Sequence, residues 1–276
     1  MDVEAAVARH YGNPQLERII LDRLRAVGYD PDRLEAADLE ALDHFHIGGA
    51  DATRELARAA GIRPGAKVLD VGSGIGGPAR MFAGEFGATV HGLDLTPSFV
   101  QVAVSLTRRT RQSHRVSFSI GSALRPGFGA AEFDVAMLLH VGMNIADKDS
   151  LFAQLHRVLK PGGRLVVYDI MRTGDGAIHY PMPWASHART SFVGTAGEYL
   201  AALAAAGFAV RSERNRHGLA AAALERVLER MDEGGGHPLG PQLVIGPEAP
   251  RRLGNLMNAV RRGVLAPVEI LADRED

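Results

Sequence analysis

Apolar residues follow one another along the chain in two rhythms, and the rhythm changes at Pro64-Gly65. From Asp2 to Ala60 the spacing is helical. Leu16, Ile19, Ile20, Leu24 and Val27 share one face, and Gly28 closes the run. A shorter helix is expected over 34–42, a loop over 44–49, and a further helix from Ala50 or Asp51 to near Gly61.

Beyond Pro64-Gly65, short apolar runs alternate with helical segments. Strands are expected at 67–71, 89–93, 116–120, 133–139, 164–170 and 208–211, with helices at 78–86, 97–109, 148–159 and 196–206. The fifth strand follows a tight Pro161-Gly162-Gly163 turn. Two more helices, 219–231 and 250–262, flank a Gly- and Pro-rich stretch at 234–250, and a last strand is expected at 264–271. Such alternation predicts an α/β fold: a doubly wound, parallel sheet of about seven strands covered by helices on both faces. N-terminal helices precede it, and a C-terminal helical lid is inserted before the last strand.

Composition narrows this picture modestly. A length of 276 residues suits one domain with additions: a helical cap over 1–60, a core over 61–214, and lid helices with the last strand over 215–276. The apolar fraction of 46% allows a large core, and a net charge of −1 gives no reason to expect a nucleic-acid partner. No cysteine is present for disulfides or thiolate metal sites. The acidic, His-containing start does not read as a signal peptide, and no window is apolar enough to span a membrane. A cytoplasmic protein is the expectation, and a homodimer is one assembly compatible with it.

The segment carrying most chemical information runs from Val68 to Gly77, VLDVGSGIGG. A buried strand enters a glycine-rich turn and leaves as a helix, so Gly72 and Gly74 let a ligand approach the main chain. Asp94 follows Gly72 by 22 positions, at the end of the second strand, about where an acid can bind a ribose diol. The spacing Gly72-x-Gly74-x-x-Gly77 also satisfies a dinucleotide fingerprint. Asp70 separates the two readings, because a carboxylate there faces a pyrophosphate badly but attracts an ammonium. Plainer roles stay open: Asp70 capping the turn, and Asp94 capping the helix after Thr96-Pro97.

Taken with Leu159-Lys160-Pro161-Gly162-Gly163-Arg164-Leu165, these motifs resemble the class I S-adenosylmethionine (SAM)-dependent methyltransferases over roughly residues 48–211. Three further stretches are similar to a bacterial small-molecule group related to the ubiquinone/menaquinone and sarcosine/dimethylglycine enzymes. They are DHFHIGG from Asp43, HVGMNIADK from His140 and HYPMPW from His179. The resemblance implies a Rossmann-like fold with SAM as cofactor. Asp70, Gly72, Ser73 and Gly74 would then hold its methionine part, Asp94 its ribose, and Leu95 and Thr96 its adenine. Ser122-Ala123 stands where many relatives have Asp-Ala, so a charge-assisted contact to the adenine amino group is missing. Tyr11 resembles a tyrosine that relatives lay across the cofactor.

On the acceptor side, His140 ends the fourth strand and is a candidate base or a group packed near the sulfonium, as well as a cofactor contact. His46 is the second catalytic candidate. Structural roles remain open for His44, His46 and His140 alike. His179, Tyr180 and Trp184 are candidates to bind a flat or cationic acceptor, or else plug the base of the C-terminal helices. Asp43, His44 and His46 lack a third-ligand cluster, so no metal is expected. The basic run Arg108, Arg109, Arg111, His114 and Arg115 sits at a helix end, where cations complement the dipole. Competing functions are a nucleic-acid or protein methyltransferase, a nicotinamide-dependent oxidoreductase, and a SAM-binding protein without catalysis.

Overall fold

The structure is a computed structural model that describes residues 2–232, 237–240 and 242–275. Of the Gly- and Pro-rich stretch, residues 233–236 and Pro241 lie outside the described residues. In chain order the elements are α1 (Val3–Tyr11), α2 (Leu16–Ala26), α3 (Glu40–Asp43), α4 (Gly49–Ala60), β1 (Lys67–Val71), α5 (Gly77–Phe86), β2 (Thr89–Asp94), α6 (Pro97–Arg109), β3 (Val116–Ile120) and β4 (Phe133–Leu139). There follow α7 (Lys148–Val158), β5 (Leu159–Arg172), α8 (Ala196–Ala205), β6 (Phe208–Asn215), α9 (His217–Asp232), α10 (Gln242–Ile245), α11 (Ala249–Arg261) and β7 (Leu265–Arg274).

Local chemistry accounts for many of the boundaries. Gly28, at φ +93°, ends α2: its N–H reaches Arg25 O and that of Tyr29 reaches Leu24 O, satisfying the last carbonyls. Thr195 and Glu198 close a reciprocal capping box at the start of α8. The helix expected over 34–42 forms instead as a 3-10 turn, Ala36–Leu39, running into the single turn of α3. Here the carboxylates of Glu35 and Asp38 cap the entry reciprocally.

The seven strands lie in the order β3-β2-β1-β4-β5-β7-β6. The sheet is not wholly parallel, because β7 runs antiparallel to both β5 and β6. The insertion explains this. Strand β6 leaves the sheet at its carboxyl edge, and α9–α11 stay there as a lid. The chain therefore re-enters from that edge and runs back down, with no crossover needed. The Pro161-Gly162-Gly163 turn also differs from expectation. Leu159 already pairs with Phe133 and Arg164 with Val135, so residues 160–163 loop out inside β5 instead of preceding it.

Strand order reverses between β1 and β4, which opens a crevice at their carboxyl ends. Side chains alternate about the central strands. Leu69, Val71, Leu138 and Val167 pack toward α7 and α8, and Val68, Met137, Val166 and Tyr168 toward α4 and α5. A third cluster, including Met143, Trp184, Leu224, Leu253 and Leu256, fills the space under the lid. A fourth joins α2 to α6 through Leu16, Ile20, Leu24, Phe99 and Leu106.

Candidate active site

The glycine turn after β1 is held by β2: Gly72 N–H and Ser73 N–H both donate to Leu93 O, at 2.7 and 3.1 Å. Gly72 has φ +72°, and a Cβ there would lie 2.3 Å from Val141 Cγ2, so conformation and space both require glycine. The turn opens on a cavity of about 790 Å³ that runs from the crevice to the lid. Asp70, Gly72, Ser73, Gly74, Asp94, Leu95, Thr96, Ser122, Ala123 and His140 all line it.

Two carboxylates dominate the crevice. Asp94 accepts from Gly74 N–H through Oδ2 and from Thr96 N–H through Oδ1, each at 2.8 Å. Burial nevertheless pushes its carboxyl up to about 6, against those two donors. Asp70 is 1% exposed, and its Oδ2 has no hydrogen-bond partner among the described residues. Burial, and then the nearby charge of Asp94, push it up to about 7. The hydroxyl of Ser73 is likewise buried without a partner. Unpartnered buried polar atoms are costly, so these point to a ligand that satisfies them. An ammonium suits Asp70, and a vicinal diol suits the remaining lone pairs of Asp94. Adenosylmethionine carries both groups and fits this donor set.

At the other end of the crevice, Ser122 Oγ donates to the Glu4 carboxylate and accepts from Leu124 N–H at 3.1 Å. Glu4, from α1, also lines the cavity. A carboxylate thus stands beside position 122 although the local sequence has none. Nothing in the sequence placed Glu4 there, since its neighbourhood depends on how α1 docks. Tyr11 OH donates to Asn144 Oδ1 at 3.1 Å, and Asn144 Nδ2 to Trp184 O at 3.0 Å. His10 Nε2 donates to Pro183 O at 3.0 Å. These bonds lay α1 across the cavity mouth.

His140 ends β4 with φ +56°, uncommon for a residue with a side chain and a feature that concentrates at functional sites. Its N–H donates to Tyr168 O at 2.7 Å, its ring lies 5.9 Å from that of His46, and its Nε2 is buried without a partner. Burial, then His46, depress its basicity well below the usual histidine range. His46 is buried, and its Nε2 lies 3.1 Å from Gly49 O and 2.8 Å from Thr53 Oγ1. Burial foremost brings both His44 and His46 down to about 3, so all three rings are neutral at ordinary pH.

The loop carrying His44 and His46 is anchored from below. Arg80 Nη2 donates to Asp43 Oδ2 at 2.6 Å and to Ile75 O at 2.9 Å, with arginine and aspartate both buried. An arginine among the buried small and apolar residues 77–83 is the sequence hint of this pair.

The Pro-rich loop after β5 separates the three aromatic candidates. Trp184 is 2% exposed, donates from Nε1 to Ser191 Oγ at 2.9 Å, and lines the cavity. His179 is exposed, Tyr180 packs at the edge of the cluster under the lid, and neither lines the cavity. The chain folds back between Met182 and Ala185, which turns Trp184 inward and leaves His179 outside. Leu224 and Val227 of α9, with Leu253 and Leu256 of α11, complete an apolar half of the cavity. Among the described residues no group of three or more metal-ligating side chains is found, and no helix is long and apolar enough to cross a membrane.

Residues 69–167 match the family model described as "Methyltransferase domain". Over 147 residues the chain is 33% identical to methyltransferase GfsG of Streptomyces halstedii, covering 53% of this chain and 51% of that protein. The chain spans about half or less of the length of the curated relatives it matches, between 25% and 51%. The fold matches geranyl diphosphate C-methyltransferase from Streptomyces coelicolor A3(2) at a TM-score of 0.71, with 21% identity over 99% of this chain and 98% of that one. It also matches the [4+2]-cyclase SpnF at a TM-score of 0.68, with 20% identity over 95% and 94% of the two chains. Residues 69–167 thus match a methyltransferase domain, and they lie in a seven-stranded Rossmann-like fold shared with these solved structures.

Proposed function

We propose that this protein transfers the methyl group of SAM to a small-molecule acceptor held beneath the lid. The observation that carries this reading is one continuous cavity with two unlike ends. At one end it holds two raised-pKa carboxylates around a glycine turn, and at the other an apolar chamber.

SAM supplies a methyl group already activated on a sulfonium, so the protein has mainly to align, desolvate and move one proton. Asp70 binds the ammonium, the Gly72–Gly74 main chain lies against the methionine chain, and Asp94 takes the ribose hydroxyls. Leu95, Thr96 and Ala123 border the adenine, with Ser122 and Glu4 at its polar edge. Tyr11 closes the mouth through Asn144. Trp184 forms part of the acceptor wall. His46 and His140, neutral and facing the cavity, are the groups able to take a proton from a hydroxyl, amine or acidic carbon. The cysteine-free composition accords with cytoplasmic residence.

The similarity to a cyclase favours one second reading, in which the fold binds SAM and does other chemistry. Calorimetric titration with SAM, S-adenosylhomocysteine (SAH) and NADH, followed by release of SAH from SAM in the presence of candidate acceptors, separates the cases. Micromolar binding of both adenosyl ligands and a loss of about tenfold or more in Asp94→Ala are expected. Binding of NADH alone would overturn the proposal. Binding of SAM with no acceptor-dependent SAH would favour the second reading.

A further inference from the structure

Behind His46 the cavity wall contains a chain of polar atoms that cofactor binding does not use. Thr53, on α4, is fully buried, and its hydroxyl lies 2.8 Å from His46 Nε2 and 2.9 Å from His44 Nδ1. Proton counting fixes the direction of these bonds. Gly49 O, 3.1 Å from His46 Nε2, can only accept, so His46 carries its proton on Nε2. The Asp43 carboxylate lies 3.5 Å from His44 Nε2 and favours a proton there too. His44 Nδ1 is then an acceptor, and the one proton of Thr53 Oγ1 goes to it at 2.9 Å in preference to Gly49 O, which lies at 3.3 Å. No hydrogen bond to His46 Nδ1 forms among the described residues, which leaves that lone pair for the cavity that His46 lines.

His44 borders a second cavity as well. This one has a volume of about 350 Å³ and is lined by Glu35, Glu40, Arg54 and Glu85, of which Glu35 and Glu85 are exposed. His44 lines the first cavity too, so the string His46–Thr53–His44 runs along its wall to a second cavity bordered by exposed carboxylates.

We infer that Thr53 is a positioning residue that relays the proton released by methylation from His46 to His44 and out through the second cavity. The inference rests on the proposed methyl transfer. Replacing an acceptor O–H or N–H hydrogen by methyl forms one bond to carbon, breaks the sulfur–methyl bond with its pair left on sulfur, and frees one proton. That proton goes to His46 Nδ1. The Nε2 proton of His46 passes to Thr53 Oγ1, the hydroxyl proton to His44 Nδ1, and the His44 Nε2 proton to solvent in the second cavity. Each group gains one proton and loses one. The lid and Tyr11 can then stay closed during the reaction.

The test needs no acceptor. Nitrogen-15 NMR of histidine-labelled, SAH-bound protein reads both tautomers and the exchange of the His46 Nε2 proton with deuterated water. Expected are Nε2–H tautomers at both rings in the wild type. Thr53→Val should slow that exchange by about tenfold or more and shift the His44 Nδ1 resonance to that of a nitrogen without a donor. Thr53→Ser, which keeps the hydroxyl, should restore both. A His46 proton on Nδ1, or unchanged exchange in Thr53→Val with SAH still bound, would overturn the relay. Failure of SAH to bind the wild type appears in calorimetry and counts against the methyltransferase reading instead.

Discussion

At the scale of single residues, Asp70 shows how the site keeps an unfavourable group in place for its ligand. Its carboxyl is raised to about 7 by burial and then by Asp94, so the folded, ligand-free protein holds the protonated form better than the unfolded chain does. The sign follows from linkage. The associated stability is full below the ordinary carboxylate range and is lost as pH rises through about 7. A bound ammonium requires the charged form, so SAM affinity rises over the same interval with release of a proton. Asp70→Asn should raise the melting temperature of the ligand-free protein at about pH 8 by roughly 2–4 °C. It should also weaken SAM by about tenfold or more and flatten the pH dependence of binding near 7. Thermal scans and titrations at several pH values check all three. The meeting of Asp70, Gly72 and Asp94 at one crevice was legible in the sequence because it follows from local spacing at strand ends. Glu4 was not, because it meets Ser122 only when α1 docks, and Thr53 was not, because its partners depend on how the preceding loop folds back onto α4. Which of His179, Tyr180 and Trp184 faces the cavity was not legible for a related reason: composition suggests an aromatic wall or plug but not which way a Pro-rich loop folds.

At the scale of elements, the loop carrying His44 and His46 is tied down by a buried ion pair in addition to its bonds to Thr53 and Tyr168. Asp43 is pushed up to about 6, chiefly by burial and against the pull of Arg80, so desolvation opposes the attraction. Removing one partner leaves the other charge buried and uncompensated, which costs about 3–5 kcal/mol in comparable cases. Asp43→Ala should lose that much in urea denaturation, and the double variant Asp43→Ala/Arg80→Met should recover part of it, because the orphaned guanidinium is gone. If the double variant loses the sum of the two single losses, the pair is not coupled and the loop has another anchor. The alternation of strands and helices was readable because period-2 and period-3.6 apolar patterns each report a face buried against the sheet. The looped-out Pro161–Gly163 segment and the 3-10 turn at 36–39 were not. Both are set by pairing and capping partners that no periodicity encodes.

For the whole molecule, function divides along the sheet. Every group assigned to the cofactor hangs from the carboxyl ends of β1, β2, β3 and β4 or from α1, whereas much of the acceptor chamber belongs to the lid and its separate apolar cluster. The antiparallel return of β7 follows from the lid remaining at that edge, and an all-parallel sheet was expected only because helical lengths do not reveal on which side a chain re-enters. Leu256 on α11 tests this division. It is 4% exposed, packs in the lid cluster and touches the cavity. Leu256→Ala removes buried methyls and leaves a void, a change that costs about 2–5 kcal/mol. If the lid holds together as its own packed unit, the loss appears as faster hydrogen exchange in α9 and α11, with the central strands unchanged and SAH affinity altered by less than about threefold. An equal loss of protection across β1 and β4, together with a tenfold weaker SAH, would mean that lid and crevice form one cooperative body. Acceptor selection could then not be changed by altering the lid without also disturbing the cofactor.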